Sequence, residues 1–237
     1  MASILYVCVR PEQGAADAEH QSFRRALGVP SLDRWDLLET PLDASVPEQY
    51  DGIVVGGSPF NVVVEERGEL QRRVEGDLER LARAALDGPL SAFFTCYGIG
   101  VVTRMLGGTV GSAVPESTRA TQVRITSAAA EDPIFGPSAP AMSVLTAHKE
   151  GSIEPPPGAV LLATNDDCPV QAYRVGNRLY ATQFHPEVTP QDFVDRMAYY
   201  RTTGYFDPRE YDLTAERVLA ASVTGTDLLR RFAGMLG

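Results

Sequence analysis

Three apolar runs in the first half of the chain each lead through a turn into a stretch with helical spacing. Ile4–Val9 is apolar, rich in β-formers, and reads as a buried strand. Asp17–Leu27 follows with helical spacing and ends at Gly28, a natural stop. Asp51-Gly52-Ile53-Val54-Val55 predicts a second buried strand running into a loop, Gly56-Gly57-Ser58-Pro59. Glu65–Leu86 is the longest helical pattern, with Leu70, Val74, Leu78, Leu81 and Ala85 on one face and charges around the rest. Asp87-Gly88-Pro89 breaks it. Leu90–Thr95 is the next strand, and Ile99–Leu106 reads as a helix closed by Gly107-Gly108. This alternation predicts an α/β fold with a parallel sheet covered on both faces.

From Thr109 the texture changes. Thr121–Ile125, Val160–Ala163, Val170–Val175 and Leu179–Phe184 are short strand-like runs between turns rich in Pro, Gly and Asp. Gly176-Asn177 marks a hairpin-like turn between the last two. Pro190–Thr202 and Leu213–Leu236 return to helical spacing, the latter amphipathic enough to pack on a sheet.

With 237 residues and 44% hydrophobic content the chain can bury a substantial core, and no repeat or charge block divides it. A single domain over residues 1–237 is expected, with a core at about 4–190 and C-terminal helices at about 190–236. The formal charge of −10 argues against nucleic-acid and anionic-membrane partners. No stretch approaches the ~20 apolar residues of a membrane span, and the N-terminus lacks a basic leader. Three cysteines without paired spacing point to a reducing compartment, so a cytoplasmic location is expected. With His20, His148 and His185 the only histidines, and no C-x-x-C or H-x-x-x-H, no metal site is expected. His20, among charged residues on a helix, reads as solvated.

Two segments carry candidate chemistry. Ala92-Phe93-Phe94-Thr95-Cys96-Tyr97-Gly98 ends an apolar run on a cysteine followed by glycine, between a strand pattern and a helix pattern. A nucleophile elbow has this form, because the strained turn needs small neighbours and the next helix packs close. A helix N-terminus there would stabilise a Cys96 thiolate. Ala181-Thr182-Gln183-Phe184-His185-Pro186-Glu187 delivers a histidine at a strand end, and a carboxylate two residues later to orient it. A thiol, a base and an orienting acid make a cysteine-nucleophile enzyme the leading hypothesis. Cys8 and Cys168 read as core.

These residues resemble the class I, triad-type glutamine amidotransferases, and most closely the GMP-synthase type. Val55-Gly56-Gly57-Ser58-Pro59 resembles the oxyanion loop, Cys96-Tyr97-Gly98 the nucleophile elbow, and Met105-Leu106-Gly107-Gly108 the end of the following helix. Gln183-Phe184-His185-Pro186-Glu187 matches the His-x-Glu signature. Asp167-Cys168-Pro169-Val170 and Ala147-His148-Lys149 resemble further segments of that type. The resemblance implies a three-layer, flavodoxin-like fold with a mostly parallel central sheet and a stand-alone amidotransferase domain. It implies Cys96 as nucleophile, His185 as base and acid, and Glu187 as its orienting partner. The backbone N–H groups of Gly57 and Tyr97 would form an oxyanion hole, and Gly56, Gly100, His148 and Lys149 would bind substrate. The implied reaction hydrolyses the glutamine side-chain amide through a γ-glutamyl thioester and needs no cofactor. A synthetase partner chain would use the ammonia.

Three positions depart from the family pattern. A glutamine commonly stands where this chain has Gly100, a glycine where it has Phe94, and Ser-His-Gly where it has Ala147-His148-Lys149. These departures touch substrate recognition and leave Cys96, His185 and Glu187 in place. A γ-glutamyl peptidase or hydrolase of the same fold is therefore the alternative, and a non-catalytic regulatory module a third reading.

Overall fold

The computed structural model describes residues 2–202 and 205–236. Its first half is β1 (Ile4–Cys8), α1 (Gln13–Leu27), β2 (Asp33–Asp36), α2 (Val46–Gln49), β3 (Gly52–Val55), α3 (Glu69–Asp87), β4 (Ser91–Thr95) and α4 (Tyr97–Met105). The second half adds β5 (Val110–Gly111), β6 (Glu116–Ile125), β7 (Ala141–His148), β8 (Gly151–Ser152), β9 (Ala159–Thr164), β10 (Ala172–Val175) and β11 (Leu179–Thr182). Three helices follow: α5 (Pro190–Tyr199), α6 (Tyr211–Leu219) and α7 (Leu228–Gly234).

One sheet runs in the order β2-β1-β3-β4-β11-β10-β9-β6-β7. From β2 to β11 neighbours are parallel, and from β11 to β7 they are antiparallel. Side chains alternate across β1. Leu5 and Val7 join Val74, Leu78 and Leu81 of α3 on one face, while Ile4, Tyr6 and Cys8 join Phe23 of α1 and Phe232 of α7 on the other. Both faces of the sheet are thus covered, which gives the expected three-layer α/β architecture. No helix among the described residues is long and apolar enough to cross a membrane.

Local signals account for most element ends. α1 stops at Gly28, whose φ of 72° is left-handed and whose N–H reaches the carbonyls of Arg24 and Arg25. α5 opens on a reciprocal cap between Thr189 and Asp192, with proline in its first turn. Leu70 departs from its predicted place on the apolar stripe: α3 begins at Glu69, and Leu70 in that first turn is 44% exposed.

The stretch Leu213–Leu236 is two helices rather than one. Between them Thr224 is clipped to β7, its N–H bonding the Ser143 carbonyl at 2.9 Å and its Oγ1 accepting the Ser143 N–H at 2.9 Å. Gly225 lies so close to β7 that a β-carbon there would sit 2.7 Å from Val144 Cγ1. α7 then packs on the sheet through Leu228, Leu229 and Phe232.

The topology also fixes where chemistry can occur. β4 lies beside β11 in register, Thr95 opposite Thr182, so the residues following the two strands emerge side by side. The segments after β1 and β3 emerge at this same carboxyl edge, the usual crevice of a parallel sheet.

Candidate active site

Cys96 is the one non-glycine residue among the described residues with positive φ, at φ 50° and ψ −101°. Such a backbone is strained, and several contacts hold it. The Cys96 N–H donates to the Thr182 carbonyl at 2.8 Å. Gly98 lets the first turn of α4 close on β4, since a β-carbon there would already stand 3.0 Å from Phe94 Cβ. Phe94 itself is fully buried on the sheet, so its bulk is accommodated away from the cavity. The Tyr97 hydroxyl is tied back to Glu75 on α3 at 2.9 Å, which leaves its main chain at the helix start beside the thiol.

His185 is fixed by an isolated bridge, its N–H donating to the Leu145 carbonyl of β7 at 3.0 Å. Its Nδ1 donates to Glu187 Oε1 at 2.7 Å. Nε2 is left for Cys96, whose side chain lines the same cavity as the ring. Gly57 forms a platform under this imidazole, because a β-carbon there would sit 2.8 Å from His185 Cε1. The structure therefore brings Cys96, His185 and Glu187 together. Burial opposes charge on the ring, but Glu187 and then Cys96 outweigh it and push the His185 pKa up to about 9. Burial likewise opposes charge on Glu187, and His185 with Arg196 holds its carboxyl well below the usual range.

This raised pKa has a testable consequence. A folded pKa above the ordinary imidazole value of ~6.5 means that the pairing stabilises the fold fully below that pH. The contribution is then lost as pH rises through about 9. NMR titration of His185 is expected to show a midpoint near 9, and Glu187→Gln is expected to move it down. An ordinary midpoint in the unmodified chain would mean that the pair does not form in solution.

Behind the histidine lies a charge network that the sequence patterns above do not predict. Glu19 of α1 is fully buried and accepts from Tyr6 Oη at 2.8 Å and Arg10 Nε at 2.8 Å. Arg196 of α5 bridges Glu19 at 3.3 Å and Glu187 at 3.0 Å. Two guanidinium groups thus face two carboxylates. Spacing holds a signal for them: Glu19 falls four residues from both Ala15 and Phe23 on the buried stripe of α1, and Arg196 lies between Phe193 and Met197 on that of α5.

This network changes the reading of both loop glycines. Gly56 lines neither cavity beside Cys96; it makes room for Glu19, whose carboxylate would collide with a β-carbon at that position. The Gly57 N–H points to Glu19 Oε1, at a long 3.4 Å, and not into open space. Ser58, a loop residue with no predicted role, lines both cavities.

The remaining predicted binding residues, Gly100, His148 and Lys149, line a small cavity on the Tyr97 side of the thiol, with Gln183 also in its wall. Val62 approaches Gly100, and a β-carbon there would lie 3.0 Å from its Cγ2. Val62 is held by Glu150, whose carboxylate accepts the N–H groups of Val62 at 2.5 Å and Val63 at 2.8 Å. Lys149 Nζ lies 4.8 Å over the Tyr205 ring. Both ring nitrogens of His148 face oxygen acceptors, Glu116 Oε2 and the Glu150 carbonyl, each at 2.9 Å. His148 thereby braces the 147–150 turn. His20 is not simply solvated: it bonds the Leu32 carbonyl at 2.7 Å and stacks on Tyr6.

Among the described residues, two buried groups have metal-ligand chemistry by residue type: Glu116 with His148 and Cys168, and Glu19 with His185 and Glu187. In the first, Glu116 already accepts from His148, Asn165 and Gln171, and burial pushes the Cys168 thiol up to about 12. In the second, Arg10 and Arg196 occupy the carboxylates and would repel a cation. Neither donor set suits a metal ion.

Comparison with known proteins agrees with this architecture. The model of the glutamine amidotransferase class-I family matches residues 30–200. A glutamine-hydrolyzing GMP synthase subunit of Methanothermobacter thermautotrophicus is 30% identical over 150 residues, 63% of this chain and 72% of that one. Gamma-glutamyl peptidase 3 of Arabidopsis thaliana is 26% identical over 179 residues, covering 70% and 68%. A GMP synthase of Vibrio cholerae is 28% identical over 167 residues, which are 70% of this chain but only 29% of that protein. A glutamine amidotransferase of Thermotoga maritima shares the fold with a TM-score of 0.75 at 19% identity, over 99% of this chain and 97% of its own. The chain belongs to the class-I glutamine amidotransferase family.

Proposed function

We propose that this chain, acting as one domain, hydrolyses a γ-glutamyl amide through a thioester on Cys96. The observation that carries this reading is the strained turn presenting Cys96 to His185, which is itself held by Glu187 at 2.7 Å. With the thiol proton already resting on His185 Nε2, as the raised pKa of the ring implies at neutral pH, Cys96 Sγ attacks the amide carbonyl opposite the imidazolium. The carbonyl oxygen becomes an oxyanion, with the Tyr97 N–H at the start of α4 as its donor. His185 then gives the proton to the departing nitrogen, and the C–N bond breaks. Water, deprotonated by His185, opens the thioester and releases glutamate. Glu187 keeps the imidazole oriented throughout.

Glutamine is the simplest substrate of this class. With glutamine the product is ammonia, and a synthetase partner chain would consume it. The names of two relatives, one a γ-glutamyl peptidase and the other part of a GMP synthase, support both forms of the reading. A second cavity on the His185 side of the thiol favours an amide larger than that of glutamine.

Mass spectrometry tests the reading directly. After incubation with a glutamine-like chloroketone, a single adduct is expected on Cys96. Burial pushes the Cys8 thiol up to about 11 and the Cys168 thiol up to about 12, so neither competes. Equal labelling of the three cysteines would sink the assignment.

A further inference from the structure

We infer that the cavity on the His185 side of Cys96 is a leaving-group site for an aromatic or apolar amine. The inferred substrate class is γ-glutamyl amides of such amines; the inference rests on the thioester reading above. Two cavities meet at the thiol and share Ser58, Cys96, Ala147 and Tyr205. Tyr97, the oxyanion donor, lines one of them, and His185 lines the other. The acyl carbonyl must face Tyr97, and the departing nitrogen must face the group that protonates it. The amine's substituent therefore projects into the His185 cavity.

The walls of that cavity decide what fits. Its two cations are already held in ion pairs, Arg10 with Glu19 at 2.7 Å and Arg196 with Glu187 at 3.0 Å. Thr118 Oγ1 donates to the Tyr205 carbonyl at 3.3 Å. The two guanidinium groups are balanced by two carboxylates and the charge of His185 is turned to Cys96, so none of these three cations is left to select the carboxylate of an amino-acid leaving group. The rest of the wall is Phe193, Met197, Tyr200, Tyr205 and Phe206, a surface for a ring or an alkyl chain. Phe193, Met197 and Tyr200 fall within residues 30–200, the part matched by the family model, whereas Tyr205 and Phe206 lie beyond it.

The reaction balances without a further reagent. The amide and water give glutamate and the free amine, with the S–C bond formed and broken within the cycle and the proton carried by His185.

The test compares kcat/KM of the whole chain for glutamine, γ-glutamylglycine and γ-glutamylbenzylamide, with acyl-Cys96 followed by mass spectrometry. Burial of the phenyl ring predicts a preference for the benzylamide over either other compound on the order of tenfold or more. Phe206→Ala is expected to shrink that ratio severalfold, and Phe206→Leu, which keeps an apolar wall without the ring, to shrink it less. If acyl-Cys96 forms from glutamine and the benzylamide is no better, or if Phe206→Ala leaves the ratio unchanged, this inference fails and the thioester reading stands. If no compound acylates Cys96, both fail.

Discussion

Exchange of Cys96 for alanine is expected to lower amide turnover by on the order of 10⁴-fold or more, with no acyl-enzyme detected. Members of a nucleophile–base pair act as a unit, so the base has nothing to activate once the thiol is gone. The same position carries an opposite expectation for stability. At φ 50° and ψ −101° an L side chain is strained, while glycine adopts such angles freely. Cys96→Gly is therefore expected to unfold at a higher temperature than Cys96→Ala, by an amount corresponding to on the order of 1 kcal/mol. Thermal unfolding of the two inactive variants isolates the backbone effect from the chemistry. A lower midpoint for the glycine variant would mean that the turn is not strained.

The second large effect is expected at Glu19, a residue that touches no substrate. Its carboxylate lies among Tyr6, Arg10 and Arg196 and is fully buried. Glu19→Gln keeps the shape but removes one negative charge, leaving Glu187 to balance Arg10, Arg196 and the charged form of His185. Breaking a buried ionic set in this way typically costs about 3–5 kcal/mol. For a chain of this size that corresponds to a fall of roughly 10 °C in the unfolding midpoint. Excess positive charge also disfavours the imidazolium, so the His185 titration should move down together with the stability. A change below about 1 kcal/mol, near the value of a solvated pair, would show that the network is open to water.

The parallel half of the sheet was legible because strands buried on both faces must be continuous apolar runs, as in Ile4–Cys8 and Ser91–Thr95. Two strands of this sheet that the apolar pattern does not reveal are β2 and β7, which sit at its two edges. β2 reads Asp-Arg-Trp-Asp, and only its pairing with β1 makes it a strand. Cys96, His185 and Glu187 could be proposed as one site because an elbow-like cysteine turn and a strand-end histidine are local patterns. Glu19 and Arg196 carried only the weak signal of their place on a buried helix stripe, since a charged residue on a helix is usually solvated, and Arg10, in the loop after β1, is turned inward by tertiary packing alone. The break between α6 and α7 was hidden for the same reason: it is imposed by the clip of Thr224 to Ser143.

The placement of β4 beside β11 bears on the order of events during synthesis. Cys96, the proposed nucleophile, is made early in the chain, yet its proposed base arrives only after the whole span from Thr95 to Leu179 has been translated and the late strand has inserted beside the early one. Parallel pairing across so long a separation is slow to form. A nascent or prematurely terminated chain thus carries Cys96 without His185, as an ordinary thiol with no base to activate it. On the proposed chemistry, reactivity has to wait for β11 to dock, and completion of the fold itself would act as the safety catch on the thiol.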